Sequence, residues 1–98
     1  MDRESIVQQV IAIIRRHLAG ECKILLFGSW AQGSADEHSD IDIAILAKEK
    51  VPWDVMSSIL FAVDEIPTLR SIDVVDLNAA DETFRNIVLH SALRVGDE

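Results

Sequence analysis

The sequence predicts an α+β domain in which a small mixed β-sheet of about three core strands is flanked by helices. Three observations support this class. Apolar residues recur at helical spacing near both ends of the chain, three short runs carry strand patterns, and helical and strand segments alternate in the order α-β-α-β-α-β-α. With 98 residues and 49% hydrophobic content, residues 1–98 are expected to form a single folded domain.

The first helix is predicted over residues 5–18, where the apolar residues Ile6, Val10 and Ile14 share one face. Gly20 stands where a helix commonly stops. The apolar run from Cys22 to Phe27 is typical of a buried strand. Residues 28–39 contain two glycines and several polar residues, so we expect a loop that begins with a short helix.

The second half of the chain repeats this alternation. Residues 40–47 alternate between isoleucines and other residues, which predicts a strand. Pro52 is expected to be the first residue of a helix whose core-facing stripe comprises Trp53, Met56, Leu60 and Val63. Residues 71–77 predict a third strand. Asn78 is then expected to cap a last helix with the stripe Phe84, Ile87, Val88 and Ser91.

Composition limits the classes of partner and the compartment. Nine basic residues against seventeen acidic ones give a net charge of −8, so neither a nucleic-acid backbone nor an anionic membrane is expected as the main partner. The single cysteine, Cys22, has no internal disulfide partner. The charged start is unlike a signal peptide, and no apolar run is long enough to span a membrane. We therefore expect a cytoplasmic protein.

The chemically informative stretch is Gly28-Ser29 followed, after ten residues, by Asp40-Ile41-Asp42. Side chains two apart on a strand leave the same face, with Cα atoms about 6.5–7 Å apart. Two carboxylates in that position suit a hard cation such as Mg²⁺ and have no obvious structural purpose on a strand. Upstream, a glycine lets a phosphate approach the backbone, and N–H groups and a serine hydroxyl can hold it. The combination predicts nucleotide chemistry.

The motifs Gly28-Ser29-Trp30-Ala31-Gln32-Gly33 and Ser39-Asp40-Ile41-Asp42-Ile43-Ala44 resemble the signature of the polymerase β-like nucleotidyltransferases. The small size is similar to that of the minimal nucleotidyltransferases within that superfamily. The resemblance implies the polymerase β-like fold, phosphate binding by Gly28, Ser29 and Gly33, and Mg²⁺ (or Mn²⁺) binding by Asp40 and Asp42. It further implies an enzyme that transfers a nucleoside monophosphate from ATP or another nucleoside triphosphate to a hydroxyl acceptor.

The resemblance also implies a third metal-binding carboxylate, on the next strand. Asp73 and Asp76 are the candidates, and a separation of three residues places them on opposite faces, so only one can join the site. Strand parity alone leaves the choice open. The family pattern favours Asp73, as the ligand of the metal nearest the acceptor hydroxyl, and leaves Asp76 with a turn or helix-start role.

Four functions remain open. The first, implied by the resemblance, is an antitoxin that transfers AMP to a tyrosine of a helical HEPN toxin. The second is a catalytically weak nucleotide-binding module that neutralises a partner by binding, because Trp30 and Gln32 stand where many relatives carry arginine. A purely structural interaction domain and an aminoglycoside-type nucleotidyltransferase are further alternatives. In each protein-binding case we expect a partner, or failing that a homodimer, close to the Gly28–Asp42 cleft.

Overall fold

The computed structural model describes residues 2–28 and 40–96. Within these ranges the helices are α1 (Arg3–His17), α2 (Trp53–Asp64) and α3 (Glu82–Ser91). The strands are β1 (Cys22–Phe27), β2 (Ile41–Ala47), β3 (Ile72–Asp76) and β4 (Leu93–Val95). The predicted α+β class is confirmed. The short helix expected at the start of the segment 28–39 falls on positions outside the described residues.

The strands form one mixed sheet in the order β3-β2-β1-β4. β1 is antiparallel to β2 and β4, whereas β2 and β3 are parallel and are joined through α2 as a βαβ unit. The short strand β4 was not predicted. Its three residues are too few to show an alternating pattern, and they become a strand by pairing with β1, as in the pair Leu25 and Arg94.

The two faces of the sheet are covered by different helices. α1 and α2 pack on the face that carries the buried side chains of Ile41, Ile43 and Ile45. α3 covers the other face, where Val88 packs with Leu25, Ala44 and Leu77. Because side chains alternate along a strand, the aspartates at 42 and 73 belong to the α3 face.

Helix α1 forms as its sequence predicts. Asp2 caps it by accepting a hydrogen bond from the backbone N–H of Ser5 at 2.8 Å, and this bond lowers the pKa of Asp2. Ile6, Val10 and Ile14 are buried against the sheet. No helix in the described part of the chain is long and apolar enough to cross a membrane.

The core-facing stripe predicted for α2 is partly wrong. Met56 and Val63 are buried as expected, but Trp53 is 77% exposed and Leu60 is 37% exposed. Ile59, which the predicted stripe omits, is fully buried. Apolar residues at helical spacing lie on two sides of this helix, so spacing alone could not show which side meets the core. The helix begins at Trp53, one residue after Pro52.

The start of α3 also differs from the prediction. Asp81, rather than Asn78, caps the helix by accepting from the backbone N–H of Phe84 at 2.8 Å. Asn78 instead donates its side-chain N–H to the Ala47 carbonyl at 2.7 Å, which ties the turn after β3 to the end of β2. Of the predicted stripe only Val88 is buried, while Ile87 is 62% exposed.

Candidate active site

Adjacent strands bring two of the predicted carboxylates together. Asp42 of β2 and Asp73 of β3 are direct partners in the parallel ladder, so their side chains leave the same face. The side chain of Asp42 shares a hydrogen bond with that of Asp73. Asp40 is exposed and lies just before β2, two residues from Asp42. The side-chain pair of Asp42 and Asp73 is called the carboxyl pair below.

Gly28 lies against the carboxyl pair. It follows Phe27, which pairs with Asp42 across the antiparallel ladder. Its φ of +77° lies in the region that favours glycine. A Cβ built at this position would overlap Asp42 Oδ2 and lie 3.3 Å from Asp42 Cγ. Glycine is therefore required at position 28 for two reasons: it adopts the positive φ of the turn, and it leaves room for the Asp42 carboxylate.

The electrostatics of the site act mainly on Asp42. Burial raises the pKa of this carboxyl, the negative charges of Asp73 and Asp40 raise it further, and so does the hydrogen bond with Asp73. A second negative charge close to a carboxyl group acts in this way, because it disfavours the ionised form. A divalent cation placed between the side chains of Asp42 and Asp73 would relieve this repulsion.

The donor chemistry of the carboxyl pair fits Mg²⁺ or Mn²⁺. Mg²⁺ commonly takes one or two carboxylates from the protein and completes its coordination with waters and substrate phosphates. Within residues 2–28 and 40–96, no three His, Cys, Asp or Glu side chains converge closely enough to hold a metal by themselves. The structure thus brings Asp42 and Asp73 together, and places Asp40 near enough for its charge to act on Asp42.

Asp76 lies on the opposite face from the carboxyl pair. It is only 9% exposed and accepts two backbone N–H groups, that of Val51 at 2.7 Å and that of Asn78 at 3.0 Å. These bonds join the segment before α2 to the turn after β3. The turn role expected for Asp76 agrees with this position. The prediction that Asp73 and Asp76 lie on opposite faces of β3 is confirmed.

The remaining predicted site residues, Ser29 and Gly33, lie outside the described residues. The same is true of Trp30 and Gln32. Their contributions to phosphate or base binding stay predictions.

A groove next to Asp73 was not predicted from the sequence. It has a volume of about 340 Å³ and runs from the end of α2 to the start of β3. Most of its walls come from α2 and from the connection after it, which carries no periodic pattern that would have indicated a site. We call it the Asp73 groove; it is lined by Leu60, Val63, Asp64, Ile66, Thr68, Arg70, Ser71, Ile72 and Asp73.

A wider cavity, of about 1060 Å³, lies at the other end of β1. Its charged walls are mostly cationic, with Arg15, Lys23, Lys48 and Arg94 against the single carboxylate of Glu21. Cations do not ligate Mg²⁺, so this cavity is not part of the carboxylate site.

Known proteins resemble this chain in sequence and in fold. The family described as "Polymerase beta, Nucleotidyltransferase" matches residues 8–95. The protein adenylyltransferase MntA of Shewanella oneidensis is 33% identical over 76 residues, which cover 74% of this chain and 51% of that protein. The chain therefore matches about half the length of that relative.

Solved structures show the same fold. A crystal structure described as a toxin–antitoxin with AMP-PNP aligns with a TM-score of 0.68 and 27% identity, over 93% of this chain and 73% of that one. A tri-AMPylated Shewanella oneidensis HEPN toxin in complex with MNT antitoxin aligns with a TM-score of 0.65 and 23% identity, over 97% and 72% of the two chains. The family match spans Gly28 and the carboxyl pair as well as most of the fold. This chain belongs to the polymerase β nucleotidyltransferase family.

Proposed function

We propose that this chain is a metal-dependent protein adenylyltransferase, which transfers AMP from ATP to a tyrosine hydroxyl of a HEPN-type toxin and so acts as its antitoxin in the cytoplasm. The observation that carries the proposal is the carboxyl pair, held in register on adjacent strands against Gly28. The Shewanella relative named as a protein adenylyltransferase and the similar toxin–antitoxin structure with AMP-PNP support the choice of nucleotide and partner.

Each site residue has a defined part in this proposal. Gly28, with Ser29 and Gly33, holds the triphosphate through backbone N–H groups, since the positive φ of Gly28 gives a turn that can present such groups to phosphate oxygens. Asp40, Asp42 and Asp73 would hold Mg²⁺ or Mn²⁺, which when bound would neutralise charge on the phosphates.

The reaction itself is a nucleotidyl transfer. The acceptor oxygen forms a bond to the α-phosphorus of ATP, the bond from that phosphorus to the bridging oxygen breaks, and pyrophosphate leaves. The exposed carboxylate of Asp73 receives the hydroxyl proton and passes it to solvent. None of the 98 residues is a tyrosine, so this domain does not supply a tyrosine acceptor of its own.

The test uses ATP labelled at the α-phosphate, Mg²⁺ and a purified HEPN-type protein, such as the Shewanella oneidensis toxin of the similar complex. We expect label on a tyrosine of that protein with wild type, none with Asp42→Asn, and wild-type labelling with Asp54→Asn. Asp54 is a matched control because it is an exposed aspartate on α2, away from the carboxyl pair. Full labelling by Asp42→Asn would refute the site. Tight toxin binding by wild type without labelling would favour the nucleotide-binding module instead.

A further inference from the structure

The cavity at the start of β1 draws its cations from four separate segments. Arg15 comes from α1, Lys23 from β1, Lys48 from the connection after β2, and Arg94 from β4. Four of the nine basic residues in the sequence therefore line one cavity, although the net charge of the sequence is −8. Within the described part of the chain, Glu21 is the only acidic residue in this lining. We call it the cationic cavity.

Backbone pairing and one hydrogen bond fix the positions of three of these cations. Arg94 of β4 pairs with Leu25 of β1, and Lys23 lies two residues before Leu25, so the side chains of Lys23 and Arg94 leave the same face of the sheet. Arg15 donates a hydrogen bond from Nη2 to the Gly96 carbonyl at 3.0 Å, which ties α1 to the chain after β4. These three cations are therefore held by a helix and two strands rather than by loops.

The charge in this lining favours an anionic ligand. Like charges that lie close together repel each other, and one carboxylate offsets only part of the repulsion among four cations. A cleft lined by one sign of charge also concentrates ligands of the opposite sign. Arginine guanidinium groups bind phosphate oxygens through two parallel hydrogen bonds, and lysine adds a point charge. A ligand that carries two or three adjacent phosphates supplies negative charge at the matching density.

The volume and the apolar part of the lining favour a ligand larger than phosphate itself. The volume of about 1060 Å³ lies at the upper limit of the range of roughly 300–1,000 Å³ that is usual for small-molecule sites. Beside the cations lie three half-buried side chains, those of Cys22, Leu46 and Ala47. They offer an apolar surface to the uncharged part of a ligand, such as the base and sugar of a nucleotide.

We propose that the cationic cavity binds a nucleoside di- or triphosphate without a metal ion, at a site separate from the carboxyl pair. Lys23 precedes Phe27 by four residues, and Phe27 is the strand partner of Asp42, so about 13 Å of strand separates the cavity from the row that holds Asp42. The lysines and arginines neutralise the phosphates in the cavity, whereas a metal ion would do so at the carboxylates. This inference goes beyond the proposed function and does not depend on it.

The experiment measures the binding of labelled ATP by equilibrium dialysis in EDTA, with ADP, tripolyphosphate and a glutamate-rich peptide as competitors. The cavity variant Lys23→Gln/Arg94→Gln is compared with wild type and with the control variant Arg16→Gln/Lys50→Gln. All four side chains are exposed, and each variant loses one lysine and one arginine, so the two variants have equal net charge. Arg16 and Lys50 are close in sequence to cavity residues but do not line the cavity. A second cavity variant, Lys23→Gln/Lys48→Gln, leaves β4 intact, and circular dichroism verifies the fold of each protein.

We expect wild type to bind one ATP per chain in EDTA. Both cavity variants should bind ATP at least about tenfold more weakly, since each lost cation removes a charge-assisted hydrogen bond. The control variant should bind ATP within about twofold of wild type, because salt screens exposed charges that do not contact the ligand. ADP and tripolyphosphate should displace the bound ATP.

Four results would overturn the inference. They are no saturable binding of ATP by wild type in EDTA, wild-type affinity in both cavity variants, an equal loss of affinity in the control variant, and displacement of ATP by the glutamate-rich peptide at lower concentrations than by ADP. The second would place ATP at the Gly28 turn, the third would show a general effect of charge, and the fourth would assign the cavity to an acidic protein segment. None of these measurements uses the toxin, so they are independent of the test of the proposed function.

Discussion

Replacing Asp76 or Asp73 of β3 by asparagine should have opposite effects: the first should lower stability, and the second should lower transfer activity. In Asp76→Asn, one carboxylate oxygen becomes an NH₂ group that faces either the Val51 N–H or the Asn78 N–H. A hydrogen bond to a charged group contributes about 1.5–3 kcal/mol, and a buried donor left unsatisfied costs about 1–3 kcal/mol. We expect the free energy of unfolding to fall by about 2–4 kcal/mol, a large share of the roughly 5–15 kcal/mol typical of a domain.

Asp73→Asn should leave stability unchanged or raise it. The side chain is exposed, and its negative charge is one cause of the raised pKa of Asp42, so its removal relieves repulsion in the metal-free protein. Transfer should nevertheless fall by orders of magnitude, because the remaining carboxylates cannot replace the proton acceptor beside the acceptor hydroxyl.

Urea unfolding followed by circular dichroism measures the first quantity, and the initial labelling rate per folded molecule measures the second. At this chain length the loss in Asp76→Asn corresponds to a Tm lowered by roughly 10–30 °C, so activity is compared well below that temperature. The reasoning is refuted if Asp73→Asn keeps its transfer rate while folded Asp76→Asn loses it. Wild-type stability in Asp76→Asn would refute the structural role of that residue.

Three further outcomes are expected. Because the pKa of Asp42 is raised in the folded protein, its carboxyl group favours folding while it is protonated, and this contribution is lost as the pH rises through the folded-state pKa. Asp42→Asn should therefore be up to about 1 kcal/mol more stable than wild type at pH 7 in EDTA. Chemical denaturation at a pH well below the ordinary pKa of 3.8 should show no difference between the two proteins. Gly20→Ala and Gly28→Ala both place alanine at a positive φ, at a cost of about 1–2 kcal/mol, but only the second displaces Asp42, so transfer assays should show activity in the first and none in the second. Mg²⁺ should raise the Tm of wild type in thermal scans, and ATP together with Mg²⁺ should raise it further. Asp40→Asn should have the same Tm as wild type without metal, a smaller rise in Tm with Mg²⁺, and no transfer activity. An equal rise in Tm with Mg²⁺ in this variant would exclude Asp40 as a ligand.

Local stereochemistry made several features readable from the sequence alone. The period of two along a strand places the isoleucines of β2 in the core and Asp42 on the other face. The same rule assigns Asp73 and Asp76 to opposite faces of β3. The helical period identifies the buried face of α1, and glycine at positive φ explains Gly28. These properties depend on bond geometry within a few residues, so the sequence determines them.

Strand parity left open which of the two aspartates on β3 joins Asp42, and only the family resemblance favoured Asp73. The tertiary structure decides it, because the parallel register of β2 and β3 pairs Asp73 with Asp42 and leaves no mark in either strand. Trp53 and Leu60 of α2 were wrongly predicted to face the core for a related reason, since their spacing fits a helical stripe as well as that of the buried residues does. β4 becomes a strand only because β1 offers it an edge. Register, edge pairing and the choice of buried face depend on contacts between distant segments, and local sequence patterns do not encode those contacts.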